Sequence, residues 1–232
     1  ISWPSLDRAR CAGRDEPAVS IAVLIPVSTP VGLQIAAEFW GFSLSTFFVG
    51  WFGATAVAGH MLALNLASAA FMIPLGISTA AATRVGNLMG ATLSWQRSGW
   101  VSVGLGVGVM ACTGALFWCV PSWLLWPYQA EQNVVLVALT VLPVAAVFAV
   151  FDGAQVVLFG VLRGVGDTFL PALANLIGYY LLGVPLGLYL AFEWEWGPLG
   201  IWCGLATALA IVAHLLVLRL AVTARRGGTL LS

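Results

Sequence analysis

Six apolar stretches, each long enough to cross a lipid bilayer, constrain the fold of this chain more than any other feature. About 20 consecutive apolar residues span the hydrocarbon core as a helix. The stretches lie near residues 20–49, 55–82, 99–121, 134–160, 168–192 and 198–220. Because backbone polar groups must be satisfied inside a bilayer, the sequence predicts an all-α membrane protein, built as a bundle of six transmembrane helices.

Composition agrees with a chain that lies largely in lipid. Hydrophobic residues make up 61% of the 232 residues and charged residues 8%, whereas soluble domains carry about 25% charged residues. The formal net charge is zero, and the sequence has no basic cluster of the kind that binds nucleic acids. The first partner that the sequence predicts is therefore the lipid bilayer.

Polar residues flank the apolar region at both ends. We predict a polar cytoplasmic lead-in or linker over residues 1–19, the six-helix transmembrane lobe over 20–222 and a cytoplasmic tail over 223–232. The chain opens at Ile1 instead of a methionine, and residues 2–17 do not resemble a signal peptide. We therefore expect further sequence upstream.

Arginine predicts the orientation of the six spans. An excess of Arg and Lys marks the cytoplasmic side of a membrane protein. With six spans, all nine arginines fall on one side: Arg8, Arg10, Arg14, Arg84, Arg97, Arg163, Arg219, Arg225 and Arg226. We expect a protein of the plasma (inner) membrane with both termini in the cytoplasm.

Aromatic and small residues predict how the bundle meets its surroundings. The loops opposite the arginines suggest an interfacial belt of Trp51, Trp118, Trp123, Trp126, Tyr128, Trp194, Trp196 and Trp202. Gly104 and Gly108 form a G-x-x-x-G motif in the third span, which favours close helix contact. Pro143 and Pro185 predict bends in the fourth and fifth spans.

Two acidic residues lie inside the spans: Glu38 in the first and Asp152 in the fourth. A charged side chain at the centre of a bilayer costs about 2.5–3.5 kcal/mol even on the most lenient scales, so each acid needs a partner, a proton, an ion or a water-filled cavity. This requirement points to transport. Both acids are the predicted binding residues.

An amide and an aromatic ring accompany each acid at helical spacing. Gln34 and Phe42 lie one turn from Glu38, and Phe148 and Gln155 lie about one turn from Asp152. That mixture suits a cavity that binds an organic cation through charge, hydrogen bonds and ring faces.

Further polar residues within or beside the spans receive weaker roles. Asn65, Asn175 and Tyr179 either line the cavity or form hydrogen bonds between helices. Arg163 and Asp167 are expected to structure a cytoplasmic turn. His60 and His214 are too far apart in the sequence to suggest a metal site, and we expect a packed or interfacial role for each.

Four motifs resemble the multidrug and toxic compound extrusion (MATE) family. They are PVGLQIAAEFW at residues 30–40, IPLGISTAAATRVGNLMGA at 73–91, LRGVGDT at 162–168 and GVPLG at 183–187. The resemblance is to the second of the two six-helix lobes of a MATE protein. It implies an antiporter that expels cationic or amphipathic organic compounds against an inward sodium or proton gradient.

The resemblance also assigns residues and partners. Glu38 and Asp152 match the acidic positions of this lobe, where cation and drug binding are placed. They would be metal ligands only if the coupling ion is sodium, and no other cofactor is implied. The expected partners are a small organic cation and either the missing first lobe or a second copy of this chain.

Two other interpretations stay open at this point. One is an inert fragment or a non-transporting membrane assembly subunit, because a MATE protein has two lobes. The other is an intramembrane aspartyl protease, suggested by short motifs around Asp152 and Asp167. These aspartates are 15 residues apart, about 22 Å along a helix, which is too far for shared catalysis. We expect no enzyme activity.

Overall fold

In the computed structural model, the backbone is described for residues 21–229, and the side chains are described for residue 25 and for residues 28–225. Within this part of the chain there are helices and turns and no strand. The predicted lead-in, with Arg8, Arg10 and Arg14, and the Arg226 side chain lie outside the described residues.

Six helical spans are long and apolar enough to cross a membrane, as the sequence predicted. They are α1 (Ile21–Val49), α2 (Ala54–Gly90), α3 (Gln96–Cys119), α5 (Gln132–Val165), a composite fifth span and α8 (Pro198–Thr229). The composite span consists of α6 (Phe169–Ile177), a π-helix (Gly178–Gly183) and α7 (Val184–Phe192). A short helix, α4 (Pro121–Leu125), lies in the loop before α5.

Several helices continue past the ends of their apolar stretches. α2 reaches Gly90, α5 reaches Val165, and α8 continues to Thr229 through most of the expected tail. The apolar length reports the thickness of the bilayer, whereas the helix length depends on local propensity and capping. Arg163 therefore belongs to α5 instead of a separate loop.

α5 is the central helix of the bundle and packs along α2, α3 and α8. Apart from Asp152 and Gln155, its residues from Val156 to Leu162 and at Gly153 are apolar and buried on every side. A helix that is apolar all round is a buried helix. The acidic residue of the fourth span is thus carried by the central helix of the bundle, beside a segment that is buried on every side.

Small residues bring the neighbouring helices close to α5, but they are not the predicted pair. A Cβ at Gly106 would lie 2.6 Å from Val157 Cγ2, and one at Gly114 would lie 2.7 Å from the Ala146 carbonyl oxygen. A Cβ at Gly104 or Gly108 would meet nothing within 4 Å. The prediction for Gly104 and Gly108 was wrong, because that face of α3 points away from α5.

The fifth span changes its helical winding where the sequence predicted a bend. The π-helix Gly178–Gly183 ends two residues before Pro185. A proline inside a helix lacks an N–H and clashes with the carbonyl of residue i−4, here Leu181 within the π segment. The wider π turn accommodates that carbonyl, and it orients Tyr179 and Tyr180 toward α1.

The predicted aromatic belt is exposed except at one position. Trp51, Trp123, Trp126 and Trp194 are each more than half exposed, as interfacial residues would be. Trp202 is fully buried. It was wrongly assigned to the interface, because its indole N–H has a hydrogen-bond partner inside the bundle.

Candidate functional site

Glu38 lies on α1 at a junction of three helices. Its Oε1 accepts hydrogen bonds from Gln155 Nε2 of α5 at 3.0 Å and from Asn175 Nδ2 of α6 at 3.4 Å. Gln155 Nε2 also donates to Asn175 Oδ1 at 3.0 Å. Hydrogen bonds to an ionised acceptor are stronger than neutral ones, so these two amides hold the carboxylate in place.

Asp152 lies one turn before Gln155 on α5 and is 7% exposed. Its carboxylate makes no hydrogen bond or ion pair with another described residue, yet it lies near enough to Glu38 for the two charges to repel each other. The structure therefore brings together the two acids that the sequence placed in the first and fourth spans. Two adjacent acids at bilayer depth favour a bound cation or proton.

Two further oxygen atoms at the site are buried without a hydrogen-bond partner among the described residues. They are Gln155 Oε1 and the hydroxyl of Tyr179. The Tyr179 hydroxyl lies in the field of both carboxylates. An unsatisfied buried polar group costs about 1–3 kcal/mol. The site thus offers oxygen atoms that a small cation or an ordered water would satisfy.

Aromatic rings form a wall beside the two acids. Phe42 packs edge-to-face on Phe148, with ring centroids 5.9 Å apart, and on Tyr179 at 6.2 Å. Gly41 permits this approach, because a Cβ there would lie 2.9 Å from the Tyr179 ring. We name Phe42, Phe148 and Tyr179 the aromatic wall. Rings of this kind attract organic cations.

Two of the residues predicted to line the cavity, Asn65 and Gln34, do not belong to the hydrogen-bonded cluster around Glu38. Asn65 is exposed on α2, and its Oδ1 accepts a hydrogen bond from the Tyr128 hydroxyl at 3.3 Å. Gln34 is buried one turn before Glu38 on α1. The cluster around Glu38 therefore contains Gln155, Asn175 and the aromatic wall, but not Asn65.

The turn after α5, which Arg163 and Asp167 were expected to structure, is held by a backbone cap and by an ion pair to another helix. Gly166, at φ 87°, ends α5, and the N–H groups of Gly166 and Asp167 donate to the carbonyls of Arg163 and Leu162, the pattern of a Schellman cap. The Asp167 carboxylate pairs with Arg219 of α8 at 2.6 Å. Asp152 lies within α5, which continues to Val165, so the 15 residues to Asp167 correspond to about 22 Å along the helix, which does not fit the protease interpretation.

Arg163 lies within α5, whereas the sequence placed it outside the membrane span. Its side chain is half-buried and forms no ion pair with a described residue, and its charge interacts with that of Glu38. Helical side chains lean toward the N-terminus of their helix, which for α5 is the direction of Asp152. The sequence contained a signal for this position: Arg163 follows Asp152 by 11 residues. This spacing places the two residues on one face of a helix.

Metal chemistry involving three or more ligands has no support in the part of the chain that is described. No group of three His, Cys, Asp or Glu side chains is close enough there to hold an ion. His60 is fully buried and bonded to other side chains, and His214 is exposed on α8. A cation at this site would rely on two carboxylates and on neutral oxygen atoms.

Comparisons with known proteins identify the family. The MatE family model matches residues 30–189. The chain is 41% identical over 203 residues to a multidrug resistance protein NorM of Burkholderia vietnamiensis, covering 84% of this chain and 44% of the relative. It is 37% identical over 209 residues to a probable multidrug resistance protein NorM of Mesorhizobium japonicum, with the same coverage.

A solved structure shows the same fold. The eukaryotic MATE transporter AtDTX14 superposes with a TM-score of 0.81 at 23% identity, over 93% of this chain and 51% of that one. The chain spans about half the length of these relatives, as the expected single lobe of a two-lobe protein would. MATE proteins are transporters, so no enzyme is indicated. This multi-pass membrane chain belongs to the MatE family.

Proposed function

We propose that this chain is one lobe of an antiporter that exports cationic or amphipathic organic compounds in exchange for sodium ions or protons. The observation that carries the proposal is the bonding of Glu38 to Gln155 and Asn175 beside the buried, unpaired Asp152. Relatives named multidrug resistance proteins support drug export.

Exchange follows from two cations competing for one pair of acids. A coupling cation at Glu38 and Asp152 neutralises the charge that attracts an organic cation, and an organic cation does the same to the coupling ion. Each ligand therefore lowers the affinity for the other by an equal factor. An inward gradient of the coupling ion then displaces the organic compound on the outer side.

The two kinds of ligand would use different parts of the site. Carboxylate and neutral oxygen atoms, here from Glu38, Asp152, Gln155 and Tyr179, suit a hard cation such as sodium. A proton needs a carboxylate alone. An organic cation gains additional attraction from the aromatic wall, whose rings lie beside the acids.

A polar face of α2 supports a second lobe as partner. Asn65, Ser68, Thr79, Thr83 and Asn87 are exposed and follow one another at helical spacing. Thr79 and Thr83 donate to carbonyls one turn earlier in α2, and Asn65 accepts from Tyr128. Lipid tails offer no partner for the remaining hydrogen-bonding capacity of this face. We propose that a first lobe, or a second copy of this chain in the same orientation, covers this face and encloses the cavity.

The described arginines support a cytoplasmic assignment for one end of the bundle. Arg219 of α8 pairs with Asp167 at the end of α5, and Gln96 at the start of α3 bonds to Ala224 of α8. Arg84, Arg97, Arg163 and Arg225 lie beside these same helix ends. The arginines thus gather at one end, as a protein of the inner membrane with cytoplasmic termini would require.

Efflux from cells that express the protein tests this function. Ethidium should leave such cells faster when an inward sodium or proton gradient is imposed, and Asp152→Asn should abolish the difference while membrane insertion persists. Glu193→Gln, which alters an exposed acid, is the control and should transport normally. Gradient-driven efflux that persists in an Asp152→Asn, Glu38→Gln double variant would refute the proposal.

A further inference from the structure

His60 of α2 is fully buried, and both of its ring nitrogen atoms are engaged. Trp202 Nε1 of α8 donates to His60 Nδ1 at 3.0 Å. His60 Nε2 lies 3.1 Å from Thr46 Oγ1 of α1. These hydrogen bonds connect three helices of the bundle through one imidazole ring. His60 is not among the residues proposed to bind the coupling cation.

The chemistry of tryptophan assigns the protons along this connection. An indole N–H is a donor only, so Nδ1 of His60 must be the unprotonated acceptor. The neutral imidazole therefore carries its proton on Nε2 and donates to Thr46 Oγ1. Thr46 in turn donates to the Phe42 carbonyl oxygen at 3.0 Å. Three hydrogen bonds run in one direction, from α8 through α2 to α1.

Both ends of this hydrogen-bonded chain support the aromatic wall. At one end, Trp202 packs edge-to-face on Phe148, with ring centroids 5.5 Å apart. At the other end, the chain terminates on the backbone of Phe42, whose ring contacts Phe148 and Tyr179. Phe148 and Phe42 each lie one turn from an acid, Asp152 and Glu38. His60 thus holds the Phe148 ring through Trp202 and the Phe42 backbone through Thr46, and both rings lie beside the carboxylates.

We propose that His60 is a positioning residue that selects for organic cations at the site. By holding Trp202 and the Phe42 backbone, it keeps the packed rings of the wall in place beside the acids that a bound organic cation would approach. Sodium depends on the carboxylates and on the oxygen atoms of Gln155 and Tyr179, and a proton on the carboxylates alone; the hydrogen-bond partners of His60 are Thr46 and Trp202, not any of these groups. Loss of His60 should therefore weaken organic-cation binding and leave coupling-ion binding unchanged. The inference rests on the proposed function.

Fluorine spectroscopy tests the positioning role without reference to transport. With 4-fluorophenylalanine at position 148, the fluorine resonance should shift and broaden in His60→Leu and in Trp202→Phe, since each removes the bond to Nδ1. His60→Gln should restore most of the native resonance, because a glutamine amide has both an acceptor and a donor. Ser78→Ala, which removes a different buried hydrogen bond, from Ser78 Oγ to the Val156 carbonyl, should leave the resonance unchanged.

Binding to the purified protein tests the selectivity. Titration with tetraphenylphosphonium should show an affinity about fivefold to tenfold weaker in His60→Leu, within the range of one cation–π interaction, and nearly native in His60→Gln. Sodium affinity should change less than about twofold, since Glu38 and Asp152 are intact. If His60→Leu does not fold, Thr46→Val provides the comparison, because it removes the bond at His60 Nε2 and keeps the contact of Trp202 with Phe148.

Either of two results would overturn the positioning role. One is an unchanged fluorine resonance in His60→Leu and Trp202→Phe, and the other is an equal loss of affinity for both cations. If the unsubstituted protein binds no tetraphenylphosphonium, the proposed function fails, whereas the fluorine spectra still decide whether His60 positions the wall.

Discussion

Gln155 Nε2 lies 3.0 Å from Glu38 Oε1 and joins the central helix α5 to α1 beside Asp152. The same nitrogen atom donates to Asn175. The Gln155 amide therefore sets, together with Asn175, the position of Glu38 relative to Asp152. A cation that bridges the acids needs this position to be kept.

Replacing Gln155 by methionine should weaken cation binding at the site. A hydrogen bond to a charged group contributes about 1.5–3 kcal/mol, so we expect a loss of tenfold or more in the affinity for tetraphenylphosphonium, measured by calorimetry. Gln132→Met alters an exposed residue at the start of the same helix and should bind normally. Native affinity in Gln155→Met would show that the amide is dispensable.

Gly160→Ala should destabilise the bundle, because its Cβ would collide with the backbone of Ser78 on α2. Overpacking of this kind costs about 1–3 kcal/mol, which thermal unfolding in detergent would register as a lower Tm. Gly104→Ala, where a Cβ meets nothing within 4 Å, should be neutral or slightly stabilising. Equal effects of the two substitutions would contradict the packing of α2 on α5.

The ion pair between Asp167 and Arg219 should contribute little to stability. The Arg219 side chain is 35% exposed, and ion pairs at exposed positions contribute about 0–1 kcal/mol. Asp167→Asn should therefore lower the Tm only slightly and leave ethidium efflux intact, with Glu131→Gln as the exposed control. A severe loss of efflux with an unchanged Tm would instead give the pair a role in gating.

The proposed orientation of the bundle predicts which loops face outward. Cysteines introduced at Trp126 or Trp194 should react with an impermeant thiol reagent added to intact cells, and a cysteine at Gln96 should react only after the membrane is opened. Gln96 serves as the control because it bonds to α8 at the end that carries the arginines. Labelling at Gln96 alone would reverse the orientation.

The six spans were predictable from the sequence because apolar length and the demand for backbone hydrogen bonds act locally. The acids Glu38 and Asp152 could be singled out for the same reason, because an acidic residue inside an apolar stretch is recognised from the sequence alone. The family followed from contiguous motifs, and the match over residues 30–189 confirmed it.

Contacts between helices could not be predicted, because they depend on how each helix is rotated. Gln155 is one turn from Asp152 in the sequence but bonds to Glu38 on another helix. Tryptophan is a residue type typical of the membrane interface, but Trp202 is buried, where it packs on Phe148 and donates its indole N–H to His60. Gly106 and Gly114, instead of the G-x-x-x-G pair, face α5, since the rotation of α3 decides which glycines serve as contacts.

Competition between cations at Glu38 and Asp152 is the most direct test of the central claim, and equilibrium binding of ethidium to the purified protein measures it. The account predicts that sodium or acidification raises the apparent Kd of ethidium in proportion to the added cation, without changing the number of sites. In the Glu38→Gln, Asp152→Asn double variant, ethidium should bind weakly and respond to neither cation. Undiminished ethidium binding in that variant, or binding in the native protein that ignores both sodium and pH, would contradict the account.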